Sequence, residues 1–149
     1  MFEFIRIKDK EDIGAWMEVA RLAKISRPER FLHLLERENS TIEDGYAFAL
    51  VNQNNNEIAG TAFIQKSLND QNHSLSVHAV AIAETTQRQG LGRILIQHIE
   101  QKAKELGASQ IRLFTTGAAD FYTKCGFTTY GQMPSEKNKP RFFQYKNLN

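Results

Sequence analysis

Cysteine is nearly missing from this sequence: Cys125 is the only one in 149 residues. No internal disulfide can form, and a reducing compartment is expected, which points to the cytoplasm. An excess of one charge sign is also missing. Nineteen Lys and Arg face 17 Asp and Glu, a net charge of +2. That balance argues against nucleic acid or an acidic membrane surface as a partner. No apolar run is long enough to span a membrane, and Met1-Phe2-Glu3-Phe4 opens on a strand pattern rather than a signal-peptide layout. Metal-ligand spacing is absent too: His33, His73 and His98 are scattered, so no metal is expected. There is no internal repeat and no linker. With 41% hydrophobic and 24% charged residues, residues 1–149 are expected to form one domain with a real core.

One stretch stands out, Gln87-Arg88-Gln89-Gly90-Leu91-Gly92-Arg93. A strand pattern, Ser76 to Ala83, leads into it, and an amphipathic helix pattern, Leu91 to Leu106, leads out. Two glycines one residue apart remove Cβ atoms where backbone must come close to something. The first-turn N–H groups of a helix lack internal partners, and the helix dipole favours anions there. The stretch therefore has the makings of a phosphate site. A dinucleotide-binding turn fits poorly, because Leu95 stands at the third glycine position and no acidic residue ends the next strand. A Walker loop is excluded by the lack of Gly-Lys-Ser/Thr. The plainest alternative is a helix that merely begins with glycine.

The remaining pattern places strands at Phe2–Ile7, Tyr46–Val51, Glu57–Gln65, Ser74–Ala83, Gln110–Thr115, Thr128–Met133 and Arg141–Leu148. Helices are expected after Asp9, from Pro28, from Leu91, and, as a short one, in the stretch Ala118–Phe127. Trp16 and Phe31 read as core. Gly60, inside a strand, marks a bulge or a close approach. Val80-Ala81-Ile82-Ala83 reads as strand buried on both faces. The expected class is α/β of the α+β type: one mixed central sheet of about seven strands flanked by about four helices.

Two blocks carry a resemblance to the GNAT superfamily of acetyl-CoA-dependent N-acetyltransferases. Gln87-Arg88-Gln89-Gly90-Leu91-Gly92 matches its Arg/Gln-x-x-Gly-x-Gly/Ala hallmark. Ala118-Ala119-Asp120-Phe121-Tyr122-Thr123-Lys124-Cys125-Gly126-Phe127 is similar to its second block, which ends in Phe-Tyr-x-x-x-Gly-Phe. The resemblance is clear from about Ser76 to Gly131. It implies acetyl-CoA as co-substrate, with its pyrophosphate on the backbone of Gln87, Arg88, Gln89, Gly90, Leu91, Gly92 and Arg93. It implies its pantetheine arm along Val80, Ala81 and Ile82, the Ile82 N–H polarising the thioester carbonyl. Thr116, Ala119 and Tyr122 complete the implied cofactor contacts. Many members carry Asn after the fifth strand; here the stretch is Thr115-Thr116-Gly117-Ala118, with Thr116 as its substitute.

Acyl transfer to an amine needs an amine without its extra proton and a hydrogen-bond donor for the departing thiolate. Tyr122 is the candidate donor, since a phenol can protonate a thiolate. His78 is the candidate base, with an ordinary pKa suited to neutral pH. It lies four residues before Ile82, so a regular strand would project both to one face. Glu84 and water are the rival bases. Cys125 stands in a helix end with no histidine nearby in sequence and is not expected to be a nucleophile. The expected reaction is acetyl transfer to a primary amine of a small molecule or peptide by direct attack in a ternary complex. The competing expectation is a non-catalytic acyl-CoA sensor. A homodimer is common among the resembled proteins. Nothing in the sequence names the acceptor.

Overall fold

In the computed structural model, residues 1–23, 25, 41–67, 73–87, 90–135 and 139–149 are described. The helix expected from Pro28, with Phe31, lies outside them, as do Arg88 and Gln89. Seven strands form one sheet: β1 (Phe2–Arg6), β2 (Tyr46–Asn52), β3 (Glu57–Lys66), β4 (Ser74–Ile82), β5 (Gln110–Thr115), β6 (Thr128–Met133) and β7 (Arg141–Asn147). Their spatial order is β1-β2-β3-β4-β5-β7-β6. All neighbours are antiparallel except β4 and β5. Among the described residues there are three α-helices, α1 (Lys10–Leu22), α2 (Leu91–Glu105) and α3 (Ala119–Lys124). None is long and apolar enough to cross a membrane.

Alternation along the strands sorts side chains onto two faces. One face holds Phe48, Leu50, Ala62, Ile64, Leu75, Val77, Ile111 and Leu113, packed against Leu95, Ile96, Ile99 and Ala103 of α2. The apolar stripe of α2 creates this layer, and Gly107 with φ +88° ends the helix. The other face packs Ala47, Ala49 and Phe63 against Ile13 and Trp16 of α1. Trp16 is fully buried, and its indole N–H donates to the Phe48 carbonyl at 3.0 Å. That bond removes the cost of burying the polar end of a large ring. Gly45, with φ +103°, enters β2 where an added Cβ would lie 2.3 Å from the buried Phe63 ring. Gly45→Ala is therefore expected to destabilise the fold by about 3 kcal/mol, through overpacking and backbone strain. Gly14→Ala, in open space within α1, should stabilise it by ~0.5–1 kcal/mol. Thermal unfolding of the two variants, moving in opposite directions, checks both.

Three bulges interrupt the alternation. Ala59 is the extra residue of β3 and Tyr130 that of β6, read from the register shifts at Leu50/Val51 and Thr129/Gly131. Gly60, next to the first, is also a close approach: an added Cβ would sit 3.1 Å from the Ala81 carbonyl oxygen. The third bulge decides the site. Phe63 pairs with His78 but Thr61 with Ala81, so β4 spends three residues where β3 spends two. Ala79 carries the excess in a left-handed conformation, φ +53°, which costs an alanine roughly 1–2 kcal/mol. By this point β4 has already parted from β5. The two strands pair only through Ser74, Leu75 and Ser76 with Gln110, Ile111 and Arg112, although β4 runs to Ile82 and β5 to Thr115. A wedge opens between them.

Candidate active site

A cleft of about 320 Å³ occupies this wedge on the α2 side. Val80, Ala81 and Ile82 form its β4 wall. Gln87, Gly90, Leu91, Gly92 and Leu95 form the α2 end, and Ala118, Phe121 and Tyr122 the α3 wall. The expectation that Val80 to Ala83 is buried on both faces needs correction. Val80 and Ile82 are only half-buried, because they open onto the cleft.

The anion end is built from backbone. Gly90 is the N-cap of α2, with φ +75° and no side-chain cap. A Cβ there would meet nothing within 4 Å, so its absence leaves open space in front of the helix. The N–H groups of Leu91, Gly92 and Arg93 are first-turn donors, and no acidic residue lies in that turn. At Gly92, in contrast, an added Cβ would come 3.0 Å from the Phe121 ring, so the second glycine lets α3 pack close. This end suits the pyrophosphate of coenzyme A in charge, donors and space.

The β4 tail supplies directed backbone groups. The Ala83 N–H donates to the Ala59 carbonyl at 2.8 Å, toward β3. Strand alternation therefore turns the N–H and C=O of Ile82 the other way, into the wedge. The Gln87 side-chain amide reaches that Ile82 carbonyl at 3.2 Å and ties the glycine loop to the strand. Thr86 Oγ1 adds a second tie, donating to the Ala83 carbonyl at 3.0 Å.

Tyr122 is 7% exposed and packs edge-on against Phe121 and Phe127, at 5.3 and 5.5 Å between ring centroids. Burial pushes its phenol well above the ordinary 10, with the neighbouring Cys125 adding to the rise. The group stays a neutral donor throughout the physiological range. Burial also raises the Cys125 thiol, although Arg93 and Lys146 pull it back. A buried protonated thiol is a poor nucleophile.

His78 does not face this cleft. The expectation that it shares a face with Ile82 fails at Ala79: the surplus residue shifts the alternation, so His78 points to the α1 side and Ile82 to the α2 side. His78 lies between the rings of Phe63 and Phe114, at 6.4 and 6.1 Å, where β4 and β5 part. Arg93, Thr116 and Ala119 are not among the lining residues either. Arg93 and Thr116 are exposed, and Glu84 is exposed before the glycine loop. Leu95, Ala118 and Phe121 join the cleft without having been singled out. Leu95 reads as core from its helical spacing alone, and only the opening wedge makes it a wall.

A lysine from β7 holds the cleft's two helices together. Lys146 Nζ donates to the Cys125 carbonyl at the end of α3, 2.7 Å, and pairs with Glu100 of α2 at 2.5 Å. Lys146→Met is expected to cost ~1–2 kcal/mol, since both partners lose a charge-assisted bond while partly shielded from water. A double-mutant cycle with Glu100→Gln in urea denaturation should return a coupling of ~1 kcal/mol.

Comparison with known proteins agrees with this geometry. The family model described as acetyltransferase (GNAT) family matches residues 16–127. Among solved structures, the ribosomal-protein-S18-alanine N-acetyltransferase of Escherichia coli superposes with a TM-score of 0.77 at 18% identity, covering 100% of this chain and 95% of that one. A Bacillus subtilis acetyltransferase in complex with CoA gives 0.75 at 20% identity, with full coverage of both chains. An aminoglycoside 6'-N-acetyltransferase complexed with coenzyme A gives 0.76 at 14%, covering 100% and 97%. At such identities the structural likenesses speak for the fold, and the family model speaks for descent. The chain belongs to the GNAT family of acetyltransferases and is an acyltransferase.

Proposed function

We propose that the protein moves the acetyl group of acetyl-CoA to a primary amine by direct attack in a ternary complex. One observation carries the reading. A single cleft joins the uncapped N-terminus of α2, the inward backbone of the β4 tail and the buried phenol of Tyr122. Acetyl-CoA supplies the activated acyl group. The α2 end binds its phosphates through backbone donors, and Val80 to Ile82 align its arm as an added strand would be aligned. The Ile82 N–H, held in place before any substrate arrives, polarises the thioester carbonyl. Tyr122 donates a hydrogen bond to the departing sulfur. Its raised pKa makes it a donor that does not lose its proton spontaneously.

The acceptor enters from the α1 side, through the wedge, and meets His78. In this arrangement His78 takes the amine's surplus proton, directly or through water. The two ligands thus approach the transfer point from opposite faces of the sheet. The single cysteine, buried and protonated, fits a reducing compartment, and we assign the protein to the cytoplasm on that ground. The test is calorimetric titration with acetyl-CoA, followed by a thiol-release assay across an amine panel. Tight binding and amine-dependent release are expected; no affinity for acetyl-CoA or free coenzyme A would overturn the reading.

A further inference from the structure

The α1-side face of β5, β7 and β6 is apolar and open. Phe114, Tyr130 and Met133 are 39%, 53% and 45% exposed, three large apolar side chains grouped on one sheet face. Tyr130 and Phe114 both lie against Phe143, at 6.2 and 6.3 Å. Such grouping marks a binding surface rather than ordinary scatter. The face is also continuous with the transfer point, because Phe114 touches His78.

Among the described residues, the strands of this floor carry cations and no anions. The guanidinium of Arg141 stands 4.6 Å over the Phe114 ring, and that of Arg112 lies 5.9 Å from Tyr130. Not one Asp or Glu occurs in β5, β6 or β7. Arg112 spends its Nε on Gln110 Oε1, at 2.6 Å. The Nε of Arg141 is buried without a hydrogen-bond partner. A guanidinium seated over a ring is arranged to receive a planar anion on its outer N–H groups.

Resting on the acetyl-transfer reading above, we infer that the acceptor is a small amine bearing both a carboxylate and an aromatic or flat apolar group. Its carboxylate binds Arg141. Its ring lies over Phe114 and Tyr130. Its amine is then delivered toward His78 at the mouth of the wedge. Arg141 is a specificity-determining residue in this arrangement, and Phe114 both supports its guanidinium and contacts the ligand.

The experiment compares L-phenylalanine with two truncated probes, phenethylamine (no carboxylate) and L-alanine (no ring). Each is assayed for acetylation, and each is titrated into the coenzyme-A-saturated protein. Phenylalanine is expected to show a KM and a Kd at least ~10-fold below either truncated probe. Arg141→Gln should erase the difference between phenylalanine and phenethylamine, and Arg141→Lys should restore part of it. Unfolding temperatures within a few degrees of wild type show that each variant is folded. Equal binding of phenylalanine and phenethylamine, or an Arg141→Gln effect equal on both, would overturn the inference while leaving acetyl transfer intact. Arg141-dependent binding of phenylalanine with no acetylation of any amine would uphold the binding site and sink the transfer reading instead.

Discussion

Replacing Tyr122 by phenylalanine is expected to lower kcat by about 10²–10³-fold while leaving acetyl-CoA affinity within a few-fold of wild type. The split follows from where the side chain sits. Its ring is 7% exposed and wedged between Phe121 and Phe127, so phenylalanine keeps the packing and removes only the hydroxyl. In the proposed mechanism that hydroxyl contributes when charge develops on the departing sulfur, which is the signature of an interaction made in the transition state. A loss of 10²-fold corresponds to roughly 2.7 kcal/mol, within the range of one donor in a water-poor cleft. The pH profile provides a second readout. Burial disfavours the phenolate, so the neutral form persists above the ordinary value of 10. Activity should therefore show no fall assignable to Tyr122 up to pH 10. Single-turnover kinetics with Tyr122→Phe would sink the assignment if the chemical step ran at the wild-type rate.

Gly90→Glu should weaken acetyl-CoA binding by at least ~100-fold, close to 2.7 kcal/mol. Space is not the obstacle, since a Cβ at Gly90 meets nothing within 4 Å. The carboxylate instead occupies the ground in front of the α2 N-terminus and competes there for the donors of Leu91, Gly92 and Arg93. A second effect must be separated. Gly90 has φ +75°, so any side chain strains the turn by ~1–2 kcal/mol. Gly90→Ala carries the same strain without the anion and is expected to lose far less affinity. Calorimetric titration of both variants gives the comparison. Equal losses would mean that loop geometry rather than anion binding explains the glycine.

Much of this was legible before the structure. Gln110–Thr115 and Thr128–Met133 have the expected bounds, and the other strands each differ by one residue at one end. Strand alternation and helical spacing are strong signals when a face is buried, as Phe2 and Phe4 against Ile5 and Ile7 show. The glycine end of the cleft was legible for a different reason. Glycines at a helix start have a direct backbone meaning, and Gly90, Leu91 and Gly92 do line the cleft. What escaped was the break in alternation within β4. Alanine at position 79 carries no hint of a left-handed turn, since Gly, Asn or Asp is the usual occupant. His78 was therefore placed on the wrong side of the sheet. Leu95 and Ala118 escaped because a wall of a cleft and a wall of a core use the same side chains. The cationic floor around Arg141 had no sequence signature, because β7 reads simply as a closing strand and the ring beneath Arg141 belongs to β5.

Ala79 has one more consequence. The cleft exists because β4 contains one residue more than its partner needs, so the site is encoded by a count as well as by chemical identities. Substitution scanning at position 79 would understate its importance, as nearly any side chain preserves the number. Deleting it would do something no substitution can. Pairing with β3 would become regular, Val80, Ala81 and Ile82 would keep their present faces, and β4 would be free to close onto β5. The product would be a smoother sheet with the transfer point zipped shut. Length variation in this strand, rather than sequence variation, is where loss of function and gain of stability would coincide.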